Sequence, residues 1–136
     1  MAANQLSQSP YLRILAATTC LSTIGLGINA ILRPRTALEM LSFPTPTTPA
    51  DKKLVDNLMR IYGARNLIMG WSMGVTAYLG HTMALGWIFI GSSVVALVDG
   101  FVSKDQIGKG QWNHWQFIMV SVPLGSVLVG AFDRKL

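Results

Sequence analysis

Apolar residues gather into four long blocks separated by polar connections. The blocks run from Tyr11 to Leu32, Ile61 to Leu79, Thr82 to Val102 and Trp115 to Phe132. At about 1.5 Å per helical residue, each reaches across roughly 30 Å of hydrocarbon. The pattern predicts helices over 11–32, 54–80, 82–102 and 115–132. Together they make an all-α, four-helix transmembrane bundle with up-down-up-down connectivity. Residues 1–10 read as a polar, disordered or interfacial tail and 133–136 as a charged end. Residues 11–132 form a single membrane domain. The first block exceeds the apolar core of a signal peptide, so it reads as a retained helix.

The connections carry their own signals. Arg33-Pro34-Arg35 ends the first helix, because proline cannot continue the hydrogen-bond ladder. Thr36 to Leu41 can form a short interfacial helical turn. Phe43 to Pro49 is polyproline-like and reads as a connector rather than a lid. Gly80-His81-Thr82 is so short that the second and third helices are expected to form an antiparallel hairpin. Asn66, Gly70 and Gly74 repeat at i+4, which predicts a seam where another backbone comes close. Asp56 and Arg60 have the spacing of a helical ion pair.

Composition supports a membrane setting. Charged residues make up 12% of the chain, against about 25% in a soluble domain. The formal net charge is +5, but the basic residues sit at the ends of apolar blocks. That placement argues for orientation in a lipid bilayer and against nucleic acid as a partner. The loops 33–53 and 103–114 hold Arg33, Arg35, Lys52, Lys53, Lys104 and Lys109. The other side has Arg13, Arg134 and Lys135. The positive-inside rule therefore puts both loops in the cytoplasm. The setting is an integral, multi-pass membrane protein, taken to lie in the endoplasmic reticulum. The single cysteine, Cys20, excludes an intrachain disulfide and a cysteine-based metal centre. No phosphate loop, dinucleotide fingerprint, nucleophile elbow or zinc-protease helix is present. Neither metal nor cofactor is expected.

Candidate chemistry concentrates at one end of the bundle. Charge inside a membrane span is costly and calls for a partner. Arg65 is such a charge, and Asp99 is its expected answer. The topology puts Asn29, Arg60, Tyr62, Arg65, Asn66, Asp99 and His114 at similar depth on the cytoplasmic side. Asp99, Arg65 and His114 are the candidate catalytic residues: a base or nucleophile, an orienting cation, and a proton carrier near neutral pH. Asn66, Asn29, Tyr62 and Arg60 are the candidate substrate-binding residues. A bland reading stands beside this one, in which Arg65–Asp99 clamps two helices and Arg60 anchors at the interface.

The stretches Arg60-Ile61-Tyr62-Gly63-Ala64-Arg65-Asn66, Val98-Asp99-Gly100-Phe101-Val102 and Trp112-Asn113-His114-Trp115 resemble a family of small four-helix membrane proteins of filamentous fungi. These are DoxX-like in outline, and the resemblance covers residues 11–132. It extends to the small membrane epoxide hydrolases and cyclases of aurovertin- and citreoviridin-type polyketide pathways. The resemblance implies a secondary-metabolism enzyme that hydrolyses or cyclises an epoxide on a lipophilic intermediate. Its partners would be that small molecule, the bilayer, and pathway enzymes or further copies of the chain. In this reading Asp99 and His114 divide base and acid work, while Arg65 and Asn66 orient. The alternatives are a non-catalytic membrane scaffold or subunit, and a small-solute carrier or channel.

Overall fold

A computed structural model describes residues 5–133. It is all-helical, with five α-helices and no strand among the described residues. These are α1 (Pro10–Leu32), α2 (Pro34–Met40), α3 (Pro49–Tyr78), α4 (Thr82–Ile107) and α5 (Trp112–Val129). The fifth helix is the short α2, which sits where a single interfacial turn is expected. Arg33 leaves helical geometry for one residue, and Pro34 then starts α2.

The other boundaries follow local stop and start signals. α3 begins at Pro49 rather than 54, because the Thr48 side chain accepts a hydrogen bond from the Asp51 backbone nitrogen at 3.1 Å. Proline suits this first position, where no intrahelical donor is needed. α4 runs past Val102 to Ile107 and stops at Gly108, which is left-handed with φ of 69°. α5 starts at Trp112 rather than 115 and closes at Gly130, with φ of 90°.

Two of these helices, Pro10–Leu32 and Thr82–Ile107, are long and apolar enough to cross a membrane. The expectation of four such spans narrows to two on this criterion. α3 carries Arg65 and Asn66 in its apolar half, and α5 opens on Trp112-Asn113-His114-Trp115-Gln116. Those polar residues lower the mean hydropathy of both.

The helices associate as two close pairs, α1 with α3 and α4 with α5. The hairpin partners α3 and α4 touch much less. Glycine decides this. Gly27 on α1 faces the Gly63 and Leu67 backbone of α3, and Gly70 faces Cys20 and Ile24. Gly86 and Gly125 make the equivalent crossing between α4 and α5. The seam expected from Asn66, Gly70 and Gly74 thus faces α1. The Cys20 thiol is buried there and donates to the Gly70 carbonyl at 2.9 Å.

One half of the bundle is filled by Ala16, Met73, Leu85, Phe89, Leu124 and Leu128. The other half holds a smaller cluster of Ala30, Ala37, Leu38 and Met59, and leaves space for the polar site.

The amino-terminal tail departs from expectation. Leu6–Gln8 form a turn of 3-10 helix, and Ser7 donates to Asp133 from its nitrogen at 3.0 Å and its hydroxyl at 2.6 Å. Gln8 donates to Thr82 at 3.1 Å. These bonds tie the tail to the end of α5 and the start of α4. Residues 1–4 of the expected tail and 134–136 of the charged end lie outside the described residues.

Candidate functional site

Arg65 projects from α3 toward α4 and grips Asp99 with both terminal nitrogens. Nη1 donates to Oδ1 at 3.2 Å and Nη2 to Oδ2 at 2.6 Å. This two-pronged fit fixes the plane of the carboxylate as well as its charge. Arg65 Nε is buried without a protein partner. The guanidinium carbon also lies 4.9 Å from the centre of the Tyr62 ring. Residues three apart on a helix share a face, and the ring's electron-rich surface attracts the cation.

His114 completes the cluster from the first turn of α5. It is buried, and its Nδ1 lies 3.9 Å from Asp99 Oδ2. Gly100 has no side chain, so the Trp115 indole lies directly against α4, and its Nε1 donates to the Leu97 carbonyl at 3.4 Å. Phe101 and Trp112 meet Trp115 edge to face. This aromatic set places the start of α5, and hence His114, beside Asp99.

Two cavities meet at the cluster. The larger, about 490 Å³, lies between α2, the 41–48 connection, α3 and α4. Its walls are mainly apolar, including Leu38, Phe43, Val55, Met59 and Val102, with Asp99, Tyr62 and His114 also lining it. The smaller, about 90 Å³, lies where α1, α3, α4 and α5 meet, is half open past exposed Leu26 and Asn113, and is lined by Thr23, Asn66, Ser92 and the same three residues, among others. Tyr62, Asp99 and His114 thus border both spaces.

Of the sequence-derived candidates, Asp99, Arg65, His114, Tyr62 and Asn66 are brought together. Two are not. Arg60 is exposed and donates to Asn57 at 3.0 Å. Five residues at about 100° each put Arg60 some 140° around α3 from Arg65. Asp56, expected to pair with Arg60, instead meets Arg35 of α2 at 3.5 Å. Asn29 lines a separate cavity of about 210 Å³, where its amide lies 3.5 Å from the Met40 sulfur. That space shares Leu26, Tyr62 and Asn113 with the smaller central cavity and Leu41 and Tyr62 with the larger, but Asn29 itself borders neither.

Sequence reasoning missed the cavity walls. Leu54, Val55, Leu58 and Met59 recur at helical spacing within the polar stretch 51–60, a signal that this segment packs against something. The 43–49 segment reads as a mere connector, yet Phe43 and Pro44 form one wall. Among the described residues, no three His, Cys, Asp or Glu side chains converge as a metal set requires.

A domain of unknown function, DUF4267, matches residues 20–128. The chain belongs to the DUF4267 family. Every residue of the Arg65–Asp99–His114 cluster, and both cavities beside it, falls within that domain. The Ser7–Asp133 tie lies outside it. No curated protein and no solved structure matches the chain.

Proposed function

We propose that this protein is a small multi-pass membrane enzyme that opens an epoxide on a lipophilic intermediate by acid–base catalysis. The observation that carries the reading is the placement of Asp99. A carboxylate fixed by Arg65 and close to His114 lines a largely apolar cavity of about 490 Å³. Ligand sites of this size are typically apolar with a few convergent polar groups.

The membrane setting is supported by an inside-out distribution of side chains. Buried positions include Thr23, Gly27, Ser92, Ser93, Ala96, Gly100 and Ser121. Leu21, Ile68, Trp71, Trp87 and Met119 point outward, Leu21 being 69% and Met119 71% exposed. A soluble protein exposing so many large apolar groups would aggregate, whereas lipid solvates them and small residues let helices approach. The core helix of a soluble protein would be mostly buried, but only 28% of the apolar stretch of α1 and 39% of that of α4 is. All four long helices share this outward face, which extends the reading to α3 and α5. The basic loops 33–53 and 103–114 then face the cytoplasm.

The chemistry follows the geometry. Asp99 takes a proton from water, or from a hydroxyl of the substrate. The freed oxygen forms a bond to one epoxide carbon as the carbon–oxygen bond breaks. The departing oxygen takes a proton from the His114 imidazolium. The proton on Asp99 then passes across the 3.9 Å gap to His114, which restores both groups. Arg65 holds the carboxylate plane, and Asn66 orients the oxygen nucleophile. Water gives a diol; an internal hydroxyl gives a cyclic ether. The family resemblance to polyketide epoxide hydrolases and cyclases fits this substrate class.

The test uses the purified protein in lipid nanodiscs with long-chain epoxides, some bearing an internal hydroxyl. Wild type should convert them and Asp99→Asn should not. Equal conversion by the folded Asp99→Asn protein rules the reading out.

A second reading, a non-catalytic scaffold, draws on one observation. α3 and α4 touch sparsely, so the Arg65–Asp99 pair adds a tie between the two helix pairs to the core of Ala16, Met73, Phe89 and Leu128. A solute carrier is less favoured, because Met73, Leu85, Phe89 and Leu128 fill the opposite half.

A further inference from the structure

We propose that the small inner chamber holds the water that Asp99 activates, so that the native reaction is hydrolysis rather than cyclisation. The inference rests on the epoxide-opening reading and assigns the two cavities separate duties.

The chamber has a volume of about 90 Å³. Water takes about 30 Å³ per molecule in the liquid, so the space suits a few waters and no lipophilic substrate. Its polar lining comes from every long helix: Thr23 on α1, Asn66 on α3, Ser92 and Asp99 on α4, and Asn113 with His114 on α5. A buried water needs two to four polar partners, and this lining supplies them. Leu26, Met69, Val95, Ala96 and Phe117 complete that lining, so both spaces are more apolar than polar, and the smaller has the greater polar share. Asp99 and His114 border both spaces. A substrate in the outer cavity therefore meets a carboxylate whose other side faces water. Ser92 is buried and small, and it lies about two turns along α4 from Asp99, the nearest α4 residue of the outer cavity lining. Enlarging it shrinks the chamber without touching the outer cavity.

Two measurements test this on the full-length protein in nanodiscs. In ¹⁸O-labelled water, wild type given an epoxide with an internal hydroxyl should yield mainly labelled diol. Ser92→Val should lower the diol-to-ether ratio by tenfold or more, and Ser92→Ala, which keeps the space, by much less. X-ray radiolytic footprinting, which labels side chains beside bound water, should modify Met69 in the chamber lining. Ser92→Val should protect Met69 severalfold while leaving Met40, exposed at the end of α2, unchanged. An unaltered product ratio in an active Ser92→Val protein, or a wild-type Met69 that escapes labelling, overturns the water assignment alone. A wild-type protein that consumes no epoxide overturns the reaction and the assignment together.

Discussion

Gly27 and Gly63 press the backbones of α1 and α3 against each other. A methyl group on Gly63 would lie 2.6 Å from the Gly27 carbonyl oxygen, and one on Gly27 would lie 2.7 Å from the Leu67 nitrogen. Neither obstacle is a side chain that can swing aside. Overpacking a tight site costs about 1–3 kcal/mol, and more where backbone must move. Gly63→Ala should therefore destabilise the protein by about 3 kcal/mol. Gly25→Ala, whose methyl meets nothing within 4 Å, should be neutral or slightly stabilising. Denaturation in mixed micelles compares the two.

The same relationship recurs between Gly86 and Gly125, where an added methyl would lie 2.6 Å from the Gly125 oxygen. Gly86→Ala should resemble Gly63→Ala in cost. If α4 and α5 were loosely packed, it would behave like Gly25→Ala instead.

The Arg65–Asp99 pair should be coupled energetically. Breaking a fully buried pair costs about 3–5 kcal/mol. Here the arginine side chain is 38% exposed and the aspartate 18%, so solvent screening reduces that to about 1–3 kcal/mol. Arg65→Met should lose this amount, and Arg65→Met with Asp99→Leu should recover much of it. Arg65→Lys keeps the charge but not the fork, so it should fall between. An additive double-mutant cycle would show that the two side chains do not interact.

Gly100→Ala drives a methyl into the Trp115 indole. The indole must leave, and the start of α5 moves with it. Trp115 fluorescence should shift, and turnover on epoxides should fall by about a hundredfold, as expected when a proton-transfer group is misplaced. Unchanged fluorescence would show that Trp115 does not occupy this position.

The Ser7–Asp133 tie should respond to acid. Two hydrogen bonds from Ser7 hold the Asp133 carboxyl below its ordinary range. A group whose folded pKa is depressed stabilises above the unfolded value, about 3.9, and loses that effect as pH falls through the folded one. The 3-10 turn should stay docked near neutrality and loosen only in strong acid. Asp133→Asn should show the loosened state at every pH. Amide exchange of residues 6–9 reads this directly.

The alignment of Arg65, Asp99 and His114 was legible because helix ends alternate sides in an up-down bundle, so depth follows from order along the chain. Direction around each helix was less legible. Arg60 and Arg65 lie about 7.5 Å apart along α3 and on different faces, and Asn29 turns toward Met40. The pairing of α1 with α3, rather than α3 with α4, depends on which glycines meet. Gly27 and Gly63 name their partners only once the helices are in place. The outer cavity was hidden for another reason. Its walls come from α2, the connection after it and the polar-looking start of α3, three segments that carry no shared pattern.

The two close pairs, α1 with α3 and α4 with α5, each lie wholly on one side of the Leu79–His81 link. The gene could therefore be cut there and the halves made as separate chains. Each half would fold around its own glycine crossing, and co-expression would rebuild the whole molecule with residues 65 and 99 joining the fragments. An engineered break between α1 and α3 would separate a pair instead, and no such rescue should follow.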